Sequence, residues 1–480
     1  MNQKPKHDLL AQLDHKYVWH PFTQMRDWLK SEPIVITSGK GCALRDAKGR
    51  EYLDANSSIW TNLHGHAHPK INAAIHRQLK KIAHSSALGF ANEPASLLAE
   101  RLVKLANPKS KSRLEGVSAH QRMPHLGKVF FSDDGSTAME VALKLAYAYA
   151  RRTGRKQPRF LSLDGAYHGD TVGAVSLGHI DLFHKAYAGM LFKSDKTPAP
   201  YCYRCPHNRA KTERADARTY RKCNWECLGK LETQFATQKK KGNPYAAFAF
   251  EPLMQGAAGM IAQPEGWLRR ATDVARGHGA HLIADEVMTG FGRTASNFAC
   301  HKEGVQPDFM ALAKGLTGGY LPMAATLATQ KVFDAFLGRY EEFKTFFHGH
   351  SFTGNQLGAS ASLASLEILQ SQDSLRARKI LEKTLREELK ALWASPNIGD
   401  IRQVGLVVGI ELVRDWRTRE PFALAERAGI RVCEAMSRKG VLTRPVGNVI
   451  VLLPPYCTTP SQARRMVRAV YEACEELFGK

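Results

Sequence analysis

The chain has 480 residues, 44% of them hydrophobic and 24% charged, a balance that excludes a disordered or fibrous protein and provides for two or three domains at about 100–200 residues each. Its formal net charge is +23, but the excess is spread out, with concentrations at residues 104–113 and 239–241 and no nucleic-acid module beside them. The expectation is therefore no nucleic-acid partner and a general pull on anionic small molecules.

No run approaches the ~18 apolar residues of a membrane span, and MNQKPKHDLLAQLDHKY carries no apolar signal core. Nine cysteines without a paired framework argue against secretion. Together these point to a cytoplasmic protein with no membrane partner.

Residues 17–60 read as an entry loop and short strands. YVWHPFTQM is aromatic-rich with a proline and is not a regular helix, whereas GCALRDAKGREYLDANSSIW reads as a hairpin turning at Ala47, Lys48 and Gly49. Ile71, Ile75, Leu79 and Ile82 then recur at helical spacing. His64, His66 and His68 invite a metal reading, but beside Gly65 and Pro69 they read better as loop packing.

From Gly127 the pattern becomes strand, turn, helix: KVFFS, DDGS, TAMEVALKLAYAYARR. Gly135 and Ser136 fall where that helix begins, with free backbone N–H groups and the positive end of its dipole, a place that cradles phosphate; a plain N-cap serine is the alternative. RFLSLDGAYHGDT repeats the form and sets Tyr167 and His168 just past a strand end, and AAFAFEPLMQG is a strand closing on Glu251. Strands alternating with helices over residues 127–330 imply a largely parallel sheet with helices on both faces.

The stretch from His281 to Gly319 organises the rest. Leu282, Ile283 and Ala284 lead to Asp285; Phe309 to Ala313 lead to Lys314, followed by Gly315, Gly318 and Gly319. Short apolar runs bounded by glycines read as buried parallel strands, and ligands sit at the carboxyl ends of such strands. One Asp and one Lys should thus meet in a single crevice. That pair suits pyridoxal phosphate, which needs an amine to hold it and a carboxylate opposite its protonated ring nitrogen.

Between these strands, residues 198–241 hold four cysteines, Cys202, Cys205, Cys223 and Cys227, spaced C-x2-C-x17-C-x3-C. This is close to a zinc-ribbon spacing, the second pair being one residue wider than the commonest form. A small zinc clip and four free thiols in a surface insertion are both open readings, and no residue is assigned as a metal ligand. A second, α+β part begins near Thr345 with FFHGHSFTGN, a long helix over residues 356–370, the runs LVVGIELV and RPVGNVIVLLPPY, and a final amphipathic helix.

FFSDDGSTAMEVALKLA, LSLDGAYHGDT, EPLMQGAAGM, ADEVMTGFGRT, ALAKGLTGG, HGHSFTGNQLG and RPVGNVIVLLPPY, in this order, resemble the class III aminotransferases among the fold-type I pyridoxal phosphate enzymes. The likeness runs from about Tyr17 to the end. WHPFTQM, SSIWTNLHGHAHP and the arginine of RPVGN resemble the biotin-pathway members, which transfer an amino group to 8-amino-7-oxononanoate; another ω-aminotransferase acting on a different amine and keto acid is the alternative.

The resemblance implies an α/β fold with a mostly parallel seven-stranded sheet. It implies an N-terminal segment (1–75) joining the small domain, a large coenzyme-binding domain (76–344) carrying the insertion 198–241, and a small α+β domain (345–480). Catalytic roles are implied for Lys314, Asp285 and Tyr167. Lys314 would hold the coenzyme and, once freed, shuttle the proton; Asp285 would pair with the ring nitrogen; Tyr167 would pack on the ring and border the substrate.

Gly135 and Ser136 would bind the phosphate, with Gly349, His350 and Ser351 reaching in from the partner of a homodimer to complete the phosphate and substrate site. Arg444 would take the carboxylate of 8-amino-7-oxononanoate, and Trp60 would wall its hydrocarbon chain. Phe22 stands where many of these members have tyrosine, and His350 and Ser351 where they commonly have Pro-Thr. The amino donor is S-adenosylmethionine or lysine.

Overall fold

The computed structural model describes residues 6–108 and 124–479; positions 109–113 of the first basic concentration lie outside the described residues. β1 (Ile36–Lys40), β2 (Ala43–Asp46) and β3 (Glu51–Asp54) form an antiparallel meander. Asp46 fixes the expected hairpin turn, its Oδ1 accepting the backbone N–H groups of Lys48 and Arg50 at 2.9 Å each.

The main sheet has seven strands. They are β4 (Leu126–Ser132), β5 (Arg159–Leu163), β6 (Asp195–Thr197) and β7 (Tyr245–Phe250), then, after the short pair β8 (Met254–Gln255) and β9 (Ile261–Ala262), β10 (His281–Asp285), β11 (Phe309–Leu312) and β12 (Ala324–Thr329). Their order in space is β4-β12-β11-β10-β7-β5-β6. All neighbouring pairs are parallel except the two that β12 makes. β12 departs from the βαβ rhythm because the chain turns straight back from β11 through a 3-10 turn instead of crossing over on a helix. With β12 antiparallel to both neighbours, β4 runs the same way as β11. The carboxyl ends of β4, β5, β7, β10 and β11 therefore share one edge.

Alternation along the strands gives the sheet two different faces. Phe248, Phe250, Leu282 and Ala284 pack with Leu231, Phe235, Trp267 and Leu268 of the helices Glu226–Lys240 and Trp267–Gly277. Ala247, Ala249, Ile283 and Ala311 face the helix Gly135–Arg152, which answers with Ala138, Met139 and Ala142. Small residues on both sides of that second contact let the helix lie close and bring its first turn to the strand ends.

The C-terminal part holds β13 (Ile398–Val404), β14 (Val407–Leu412), β15 (Val441–Leu442), β16 (Pro445–Val446) and β17 (Val449–Leu452). Four of these make an antiparallel sheet in the order β13-β14-β17-β16, while β15 pairs parallel with β3. The N-terminal meander is thereby stitched to the C-terminal end of the chain. No helix among the described residues is long and apolar enough to cross a membrane.

Candidate active site

A cavity of about 420 Å³ lies over the shared edge of strand ends and is lined by Trp60, Gly135, Ser136, Tyr167, Asp285 and Lys314 among others. Six residues separated by up to 254 positions meet because each follows a strand end or, for Trp60, a turn after β3. Lys314 leaves β11 with φ 40°, and its Nζ stands 4.8 Å from the centre of the Trp60 ring. Asp285 closes β10. Its Oδ2 lies 2.8 Å from His168 Nδ1, and its Oδ1 accepts the Val287 N–H at 3.1 Å. A carboxylate only accepts, so His168 carries its proton on Nδ1; its buried Nε2 has no partner among the described residues.

Asp134 caps the helix Gly135–Arg152, accepting the Thr137 N–H at 2.8 Å while Thr137 Oγ1 accepts the N–H of Asp134 at 3.0 Å. This satisfies the third turn position and leaves the N–H groups of Gly135 and Ser136 open to the cavity. A Cβ on Gly135 would come within 2.7 Å of Val287 Cγ1, so glycine is what allows this approach. Ser136 Oγ accepts the N–H of Asp170 at 3.1 Å, and Asp170 in turn accepts the Tyr167 hydroxyl at 2.7 Å.

Burial sets the electrostatics. It pushes the Glu251 carboxyl up to about 7, His168 opposing this and Asp285 reinforcing it. Glu251 accepts the N–H groups of Tyr167 at 3.2 Å and Gly256 at 2.8 Å. Burial also holds the Lys314 amine below its ordinary value, against the upward pull of Asp285 and Glu251. For His168 burial pulls downward, but the hydrogen bond and charge of Asp285 win and raise it. The Tyr167 hydroxyl is raised by burial and then by Asp170.

Four expected residues lie outside this lining. His350 Nδ1 stands 3.3 Å from Oδ2 of Asp133, which does line the cavity, while the Ser351 carbonyl accepts from His84 Nε2 at 2.8 Å and Gly349 sits beside them. Arg444 is exposed between β15 and β16 and forms no ion pair among the described residues. His64 and His66 find separate partners, Ser365 at 3.0 Å and Asp54 at 3.0 Å.

Sequence reasoning passed over His168 and Glu251 as working groups, although both sit at motif positions just past β5 and β7. It also missed Val287, Met288 and the segment Tyr320, Leu321, Pro322 and Met323, all in the lining. Only the return of β12 puts that last segment there.

The arrangement fits pyridoxal phosphate. A lysine amine, a buried carboxylate oriented by a histidine, open helix N–H groups for a phosphate, and an aromatic wall surround one space of suitable size.

Comparison with known proteins agrees with this. The family described as class III aminotransferase matches residues 25–474. The adenosylmethionine-8-amino-7-oxononanoate aminotransferase of Geobacter sulfurreducens is 46% identical over 471 residues, 98% of each chain. That of Methanocaldococcus jannaschii is 41% identical over 474 residues, again 98% of each, and its crystal structure superposes with a TM-score of 0.87 over 98% of this chain and 99% of its own. An amine transaminase from an uncultivated Pseudomonas species, solved with pyridoxal phosphate bound, matches at 33% identity and a TM-score of 0.83, covering 95% of this chain and 98% of its own.

Proposed function

The chain belongs to the class III aminotransferase family, and we propose that it transfers an amino group to 8-amino-7-oxononanoate, giving 7,8-diaminononanoate for biotin. It is a pyridoxal phosphate enzyme. One observation carries the chemistry: Lys314 and Asp285 stand at adjacent strand ends over the cavity that also holds Trp60, Tyr167 and the open helix start. The substrate assignment is supported by relatives that bear the name of this transfer and match 98% of the chain.

The bound coenzyme supplies the electron sink for the bond broken at the amine-bearing carbon. Lys314 Nζ would hold the coenzyme and, once freed, would serve as the base that carries the proton away from the amine-bearing carbon. Burial keeps the amine below its ordinary value, so a larger share of it is neutral and able to accept. The Asp285 carboxylate, whose orientation His168 fixes through Nδ1, would pair with the protonated ring nitrogen. Gly135 and Ser136 would receive the phosphate, Tyr167 would cover the ring, and Trp60 would wall the hydrocarbon chain. Arg444, exposed and unpaired, takes the substrate carboxylate in a bidentate grip.

The same proposal includes a homodimer in which Gly349, His350 and Ser351 serve the neighbouring subunit's pocket. They lie outside their own chain's lining, beside the exposed rings of Phe347 and Phe352, a face suited to burial against a second copy. The donor is S-adenosylmethionine, with lysine as the other outcome of the test, and a cytoplasmic setting suits nine cysteines free of disulfides.

Single-turnover titration of the yellow enzyme tests this. S-adenosylmethionine, or lysine, should bleach the coenzyme band, and 8-amino-7-oxononanoate should restore it, as ping-pong half-reactions sharing one site require. Bleaching by an amine that 8-amino-7-oxononanoate does not reverse would leave an ω-aminotransferase of different substrate.

A further inference from the structure

The insertion between β6 and β7 is anchored by arginines. Arg204 Nε donates to Glu411 Oε1 at 2.9 Å; Arg214 Nη1 donates to the Ile398 carbonyl at 2.7 Å; Arg218 Nη2 donates to the Gln403 carbonyl at 2.9 Å. All three partners belong to β13 and β14. Within the insertion itself there is one short helix, Ala217–Tyr220, before the helix Glu226–Lys240 begins, and the apolar cluster around it is small: Cys202, Tyr203, Ala217 and Val413 with a few rings. A long excursion with so little core needs some other closure.

Its four cysteines supply one. Cys202 and Cys205 come from the start of the insertion and Cys223 and Cys227 from its far side, yet all four line a single cavity of about 20 Å³. That is room for one water-sized body. Arg221 Nη1 lies 3.1 Å from Cys223 Sγ, with its guanidinium 3.9 Å from the centre of the Trp225 ring. A thiol is a weak acceptor, whereas a metal-bound thiolate is a strong one, and a ligand sulfur with a cationic donor behind it is a usual outer-shell arrangement.

We propose that Cys202, Cys205, Cys223 and Cys227 form a structural Zn²⁺ site that staples the insertion against the C-terminal sheet. Four sulfur donors with two short spacings suit a soft, tetrahedral ion and exclude the oxygen-seeking Mg²⁺ and Ca²⁺. Among the described residues no group of three or more His, Cys, Asp or Glu is already set to hold a metal, so binding requires the cysteine side chains to rotate inward. The ion is remote from the chemistry: none of the four cysteines lines the coenzyme cavity.

The test is the metal content of the purified holoenzyme, measured by native mass spectrometry and by release to a chromogenic chelator. The expected result is about one zinc per chain, nearly all of it lost in the Cys223→Ser/Cys227→Ser double variant while the coenzyme band remains. Should that variant fail to fold, alkylation of the native wild-type chain decides: the four cysteines should be protected and the exposed Cys457 labelled, with protection lost on chelation. Wild-type protein free of zinc that gains none when Zn²⁺ is added, or zinc kept by the double variant, would overturn the proposal.

Discussion

Glu251 and Lys314 share a buried site with His168 and Asp285, and their protonation couples to both folding and loading. The Glu251 carboxyl is raised to about 7, so the folded chain binds its proton more tightly than the unfolded chain does. Stability from this group is present at low pH and is lost as pH rises from about 4.5 to about 7, at most on the order of 3 kcal/mol. His168, also raised, contributes in the same direction. In coenzyme-free protein, Glu251→Gln should therefore flatten the fall in melting temperature between pH 5 and pH 7.5, even though it lowers the melting temperature throughout by giving up an acceptor for one of two backbone N–H groups. A variant with an unchanged slope would show that Glu251 does not titrate there. For Lys314, a depressed amine means that coenzyme uptake by the stripped enzyme should speed up with pH around a midpoint below the ordinary lysine value. Lys314→Ala should lose the yellow band and at least about 10³-fold in activity.

The turn Ser57–Trp60 is strained. Its four residues have φ of 47°, 48°, 63° and 68°, a left-handed turn of ordinary side chains costing about 1–2 kcal/mol per residue. Surrounding groups hold it. Asp54 accepts the N–H and hydroxyl of Ser58 at 3.0 and 2.9 Å, and Ser57 Oγ donates to the Leu453 carbonyl at 2.6 Å. The buried Arg293 guanidinium donates to the carbonyls of Pro454, Trp60 and Asn62. What the strain achieves is the placement of Trp60 over Lys314.

Arg293→Met should leave those carbonyls short of donors and cost about 2–4 kcal/mol. Activity should fall by about tenfold or more while the coenzyme band persists, since Arg293 positions the wall and does not touch the reacting atoms; full activity in a folded variant would remove that role. The sequence could not disclose this turn, because SSIW contains no glycine to signal positive φ. Nor could it disclose the direction of β12: PMAATLAT is an apolar run that reads the same whichever way it pairs. Asp285, Lys314 and the start of the helix Gly135–Arg152 were legible because an apolar run that stops at a charge or a glycine marks a strand end whatever lies beside it.

At the scale of the whole molecule, two kinds of contact join distant parts. One is internal: Arg402, fully buried on β13, pairs with Asp400 at 3.0 Å and Glu411 at 2.5 Å and donates to the carbonyls of Gly259 and Met260. It thus ties the C-terminal sheet to the β8–β9 hairpin, whose Met254 and Ala257 border the coenzyme cavity. Arg402→Ala should cost about 3–5 kcal/mol by leaving the buried Asp400 without a cation and Glu411 with Arg204 alone, read as a drop in the unfolding midpoint.

The other contact is between copies of the chain. If His350 serves the neighbouring pocket, a Lys314→Ala subunit still has a working His350 to lend, and a His350→Glu subunit still has a working Lys314. Each variant alone should be inactive, the first for want of the amine, the second because its carboxylate would meet the phosphate of the neighbouring pocket with like charge. In a mixed dimer the mutant Lys314 site faces the mutant residue 350, while the other site joins an intact Lys314 to an intact His350. Random pairing makes about half the dimers mixed, each with one good site of two, so co-refolding equal amounts should restore about a quarter of wild-type activity. If His350 instead serves its own chain, both sites of every dimer are broken and the mixture stays inactive.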